Sequence, residues 1–181
     1  MPDISYTTPG LDTDQSTRVI DLLQYRLAAY NDLHLTLKHV HWNVVGPNFI
    51  AVHEMIDPQV ELVRGFADEV AERIATMGGS PGGTTGDIAR VRDWDDYALR
   101  RDTVAAHLGA LDLVYRGVVT SNRDAIAELG DLDPITEDIV IAHTAELEKF
   151  QWFVRAHLEN AAGEITTTGS ASETGAADAS R

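Results

Sequence analysis

His41, His53, Asp57, Asp68 and Glu72 supply imidazole and carboxylate, the donors that bind iron, manganese or zinc when sulfur is absent. His53/Asp57 and Asp68/Glu72 each have the i,i+4 spacing that lets two side chains of one helix reach one ion. On a helix turning ~100° per residue, with His53 at zero, Arg64 falls at ~20°, Asp57 at ~40°, Asp68 at ~60°, Glu61 at ~80° and Glu72 at ~100°. A single such pair is ordinarily a solvated helix face. Two pairs on one face, with His41 just upstream, point to metal chemistry.

Distance constrains how these groups combine. Asp57 and Asp68 are eleven residues apart, ~16 Å along a helix, too far to share an ion within one chain. Either two incomplete sites exist or a second chain completes each one. Two copies of this helix lying antiparallel about a two-fold axis would bring Asp57 of one against Asp68 of the other, giving two identical sites per dimer. The Glu-x-x-His motif of intrachain di-iron bundles is absent. Pro58, inside the same helix, is expected to kink it near Glu54–Pro58.

The elements that hold these residues follow from periodicity. Apolar residues recur at helical steps from about 13 to 44, through Val19, Leu23, Leu27, Tyr30, Leu37 and Val40, with Asp12 or Asp14 as candidate caps. "VVGPN" ends that helix. A second stripe runs from Ile56 to Ile74 and stops at "GGSPGG"; a third runs from Val104 to Ala125. The fourth opens with Asp133 as N-cap and Pro134 at the first helical position and continues to about Asn160. Connections of about four residues predict antiparallel neighbours within each hairpin. The long connection, roughly 78–101, includes the amphipathic piece "DWDDYALR". Two hairpins joined by one long crossover define an all-α, ferritin-like four-helix bundle over residues 13–160, with a short helix in the crossover between the second and third long helices. Residues 1–12 read as an irregular tail and 161–181 as a disordered acidic tail. No strand and no internal repeat is evident.

The composition narrows the setting. The 181 residues suffice for one domain. No cysteine is present, which excludes disulfides and thiolate chemistry. No apolar run approaches the ~18 residues of a membrane span, and the N-terminus lacks signal-peptide features; a cytoplasmic location is expected. Acidic residues outnumber basic ones 29 to 14, for a formal charge of −15, and the lysines are Lys38 and Lys149 alone. Such a charge disfavours nucleic acid and anionic membranes. An acidic, lysine-poor surface also resembles proteins of salt-loving archaea.

"HWNVVGPNFIAVHEMID", followed by "DEVAER" and, near the C-terminus, "EKFQWFVRAHLE", is similar to the signature of the Dps family of mini-ferritins; the likeness spans roughly 15–160. It implies a hollow homo-oligomer of 12 subunits with tetrahedral symmetry. Such a shell oxidises Fe(II) at intersubunit sites with hydrogen peroxide in preference to O2, stores the ferric mineral inside, and so protects against oxidative damage. The family's ligand positions match His41, His53, Asp57, Asp68 and Glu72, and Trp42 matches the tryptophan beside the site.

Other groups carry weaker expectations. Glu54, Glu61 and Glu69 could seed mineral or be merely solvated. Asp131, Asp133, Glu137 and Asp138 suit a helix N-terminus, and the resemblance places acidic pore residues nearby. His34, His39, His143 and His157 read as surface, interface or core histidines. Two further readings compete with the iron enzyme: a DNA-coating protein, and a metal-stabilised structural oligomer without turnover. DNA binding is disfavoured because neither tail carries a lysine-rich run.

Overall fold

The computed structural model describes residues 6–181. In chain order the elements are α1 (Thr13–Asn43), β1 (Val44–Val45), α2 (Phe49–Thr76), α3 (Thr85–Val91), β2 (Asp102–Thr103), α4 (Val104–Leu132), α5 (Pro134–Leu158) and α6 (Glu173–Ser180). The four long helices, α1, α2, α4 and α5, are those of an all-α four-helix bundle. They pass through two compact units, each with a core of its own.

The first unit comprises the chain up to His34, Glu61–Asp93 and Ser121–Thr144. Its core takes Val19, Leu23 and Tyr30 from α1, Val63, Val70 and Ile74 from α2, Leu129 from α4 and Val140 from α5. Asn122 is fully buried and donates to the Tyr30 hydroxyl and to Thr144 Oγ1, so its amide hydrogens are satisfied inside the core. Asp12 caps α1 reciprocally: the Gln15 amide donates to its carboxylate, and the Asp12 amide donates to the Gln15 side chain. The first five residues of the expected N-terminal tail lie outside the described residues. Tyr6, which follows them, donates its hydroxyl to the Ala75 carbonyl.

The second unit comprises Leu35–Val60, Trp94–Thr120 and Ala145–Arg181. Leu37, Val40, Val52, Ile56, Leu108, Leu111, Leu147 and Val154 fill its core. Gly46, with φ 101°, and Asn48, with φ 64°, turn the chain between α1 and α2. β1 and β2 pair in parallel, Val44 opposite Asp102 and Val45 opposite Thr103.

Several expectations are corrected. The expected crossover helix is present at Thr85–Val91, where Thr84 and Asp87 form a capping box, whereas the amphipathic "DWDDYALR" is not helical. That stretch stays irregular because its groups find partners elsewhere. The Ala98 amide donates to Glu173, and Tyr97 bonds to His107, so tertiary contacts outweigh helical periodicity. The connection between α4 and α5 is the single residue Asp133. The C-terminal segment is not disordered. A bridge pairs Glu159 with Ile165, Thr167 donates to the buried Asp112, and α6 buries Ala176 and Ala177 completely. Its alanines are small enough to approach α4 closely, a contact with no periodic apolar signature. The two short strands were likewise not expected.

Candidate metal centre

α1 ends and α2 begins in the second unit, and the turn at Gly46–Asn48 brings His41 and His53 together. Their rings stack with centroids 3.6 Å apart and planes 24° from parallel. His41 Nδ1 lies 3.0 Å from the His53 carbonyl, and His53 Nδ1 lies 3.0 Å from the His41 carbonyl. A carbonyl only accepts, so each Nδ1 carries a proton, and in the neutral ring Nε2 is the nitrogen with the lone pair. A second hydrogen bond that fixes the tautomer in this way is characteristic of metal-binding histidines.

Asp57 lies one turn after His53. Its Oδ1 is 3.2 Å from His41 Nδ1 and 2.6 Å from the Lys38 ammonium. The Lys38 hydrogen bond outweighs desolvation and, with smaller help from His41, the Lys38 charge and His53, holds the Asp57 carboxyl below its ordinary pKa. Lys38 was not singled out from the sequence. The available signal was its position three residues before His41, which puts both on one helix face.

Asp68 and Glu72 are exposed on α2 in the first unit. Asp68 lines a groove of about 700 Å³ with Leu27, Asn31, His34, Glu61 and Arg64. Among the described residues, no three histidine or carboxylate side chains converge as a metal-holding group within the chain. The helix continues on both sides of Pro58.

The remaining candidates fall into different settings. Glu54 is exposed, Glu61 pairs with Arg64, and Glu69 accepts a 2.9 Å hydrogen bond from His143 Nε2. Asp131 and Asp138 are exposed and Glu137 is half-buried. Asp133 is only 5% exposed and is committed to Arg73, at 2.6 Å, and to the Thr136 hydroxyl. Its carboxylate ties α5 to α2 and is not free to line a pore. Trp42 is 70% exposed beside His41, and Phe49 and Ile50 are exposed at the start of α2.

The ferritin-like domain family matches residues 20–163. A protein of Mycolicibacterium smegmatis named "DNA protection during starvation protein" is 66% identical over 177 residues, covering 98% of this chain and 97% of that one. The solved structure "Mycobacterium smegmatis Dps" superposes with TM-score 0.91 at 66% identity, covering 92% of this chain and 95% of that chain. "DpsA14 from Streptomyces coelicolor" superposes with TM-score 0.88 at 59% identity, covering 90% and 97%. The chain belongs to the Dps family of ferritin-like proteins. These bacterial relatives give no support to a salt-loving archaeal source. Among the described residues no helix is long and apolar enough to cross a membrane.

Proposed function

We propose that this protein oxidises Fe(II) at sites shared between two subunits and stores the ferric product within a homo-oligomeric shell of twelve subunits. His41, His53 and Asp57 form one half of each site, and Asp68 and Glu72 of a second copy form the other. The observation that carries the reading is the locked pair of histidines: both Nε2 lone pairs are freed by reciprocal Nδ1 bonds, beside a carboxylate, with too few further donors nearby to complete a coordination shell. The exposed apolar side chains of Trp42, Phe49 and Ile50 around this half-site support a second copy as its cover.

In this reading, two ferrous ions held by the shared ligands give hydrogen peroxide both of the electrons it needs. Peroxide is then reduced to water without release of hydroxyl radical. O2 is the slower oxidant. DNA is protected by removal of iron and peroxide rather than by coating. The name of the mycobacterial relative favours contact with DNA as a second reading, but a formal charge of −15 per chain opposes it.

Stopped-flow absorbance after mixing anaerobic Fe(II)-loaded protein with peroxide tests the proposal. The parent should develop ferric absorbance rapidly, and His53→Ala and Asp68→Ala should each slow it strongly while far-UV helicity stays unchanged. Parental rates in both variants would remove the site.

A further inference from the structure

The second unit also holds a phenol–imidazole pair to which nothing above assigns a role. The Tyr97 hydroxyl, from the crossover, lies 3.0 Å from His107 Nδ1 on α4, and the two rings are within 10° of parallel. His107 is fully buried. Its Nε2 is buried without a hydrogen-bond partner, yet the carbonyls of Arg100 and Asn43 are near enough to favour a proton on the ring. The Tyr97 O–H has two acceptors within reach, the His107 carbonyl at 3.4 Å and Nδ1 at 3.0 Å; in the tautomer with the ring proton on Nε2, Nδ1 is the nearer one. The partly buried Tyr97 packs against Leu99, Ala106, Ala110 and Ala177, so α6 shields one side of the pair. The edge of Tyr97 meets His39, centroids 5.8 Å apart, two residues from His41.

This geometry differs from that of the other tyrosines. Tyr30 receives a hydrogen bond from the Asn122 amide, Tyr115 donates to the Gln59 amide oxygen, and Tyr6 donates to a carbonyl. None of those partners is a base of useful strength. Tyr25 donates to the Asp93 carboxylate on the exposed surface. A buried phenol that loses an electron while keeping its proton becomes an unsolvated cation, which an apolar site strongly disfavours. A base in hydrogen-bond contact removes that barrier. Burial keeps the Tyr97 phenol protonated at rest and, as the largest effect, lowers the affinity of His107 for a second proton. The Asp102 carboxylate acts the other way and stabilises the imidazolium once it forms.

We propose that Tyr97 and His107 are a one-electron relay: Tyr97 reduces the hydroxyl radical left when peroxide takes a single electron from Fe(II), and its proton passes to His107 Nδ1. The proposal rests on the iron-oxidation reading above. The Tyr97 O–H bond breaks, one electron converts hydroxyl radical to hydroxide, and the products are a neutral tyrosyl radical and an imidazolium. Another Fe(II) then returns an electron to the tyrosyl oxygen, the proton moves back from His107, and Fe(III) results. The odd electron of an incompletely coupled peroxide reduction is thereby spent on iron rather than on the protein or its surroundings.

The test has an iron-free arm and an iron arm, both on the assembled full-length protein. Flash-generated tris(bipyridine)ruthenium(III) serves as one-electron oxidant in the first, with tyrosyl radical read by electron paramagnetic resonance. The parent should give the radical, and Tyr97→Phe and His107→Gln should each reduce it several-fold. Tyr97→Phe keeps the ring and its packing, so its result stands even if His107→Gln folds poorly. In the iron arm, Tyr97→Phe should oxidise Fe(II) at the parental rate but release more hydroxyl radical to a spin trap. A parental tyrosyl signal in Tyr97→Phe, or in folded His107→Gln, overturns the relay. A parent that oxidises no Fe(II) with peroxide sinks the iron reading and the radical source with it, whatever the flash arm gives.

Discussion

His41 and His53 each donate from Nδ1 to the other's backbone carbonyl at 3.0 Å, so the tautomer of one ring depends on the backbone position of the other. The pair is therefore set before any metal arrives, and Asp57 is held in the same way by Lys38. Lys38 places a positive charge where a divalent cation would approach. Lys38→Gln should tighten binding of Co(II), a redox-stable probe, several-fold in titration calorimetry, because a like charge a few ångströms away is removed. Weaker binding in the variant would mean that the ammonium orients Asp57 more than it repels the ion.

Asp133 gives a pH prediction. Burial opposes its ionisation, but the Thr136 hydroxyl and the Arg73 guanidinium outweigh that effect and depress its pKa below the ordinary 3.8. A depressed acid contributes stability that is complete above the unfolded pKa and is lost as pH falls through the folded one. Asp133→Asn should cost about 3 kcal/mol at neutral pH, since it leaves a largely buried Arg73 without its counter-charge. The gap between parent and variant in thermal melts should close only below about pH 4. A gap that stays constant to lower pH would show that the ion pair is not its source.

The long helices were legible because Val19, Leu23, Leu27 and Tyr30 repeat at the helical period, and the metal-site candidates because their spacing fits the same period. The partnership of His41 with His53 was less so, since it depends on the turn geometry at Gly46 and Asn48. Lys38 was missed because its role depends on reaching a carboxylate nineteen residues away. The C-terminal helix escaped notice because Ala176 and Ala177, small residues in a Gly/Ser/Thr-rich stretch, give no hydrophobic stripe; what orders them is Gly109 and Ala110 on α4 and the Glu173–Ala98 bond. Asp133 was read as a cap and as a pore candidate; its ties to Arg73 and Thr136 were not legible, because Arg73 is sixty residues away in sequence.

Gly109 tests that docking. A Cβ there would fall 2.6 Å from the Ala176 carbonyl oxygen. Gly109→Ala should favour α4 itself by roughly 1 kcal/mol in helix propensity, yet displace α6. Hydrogen exchange across Glu173–Ser180 should speed up while α4 exchanges no faster. Unchanged protection of α6 would show that the contact is looser than its geometry implies.

Duplex DNA should give no gel shift with the assembled protein at physiological salt. Affinity of that kind comes mainly from cations that neutralise phosphates, and this chain carries 14 against 29 acids. A shift that weakens as salt is added would favour the DNA-coating reading instead.

The central claim is that each oxidation site draws ligands from two chains, and co-assembly of two inactive variants tests it most directly. In a pair made of one His53→Ala chain and one Asp68→Ala chain, one shared site keeps every ligand and the other loses both. Random one-to-one mixing after dissociation makes half the pairs mixed, so about a quarter of all sites should be intact. Peroxide-driven Fe(II) oxidation should recover to about a quarter of the parental rate. A mixture no more active than either variant alone would contradict the account, because sites built within one chain cannot be repaired by a neighbour.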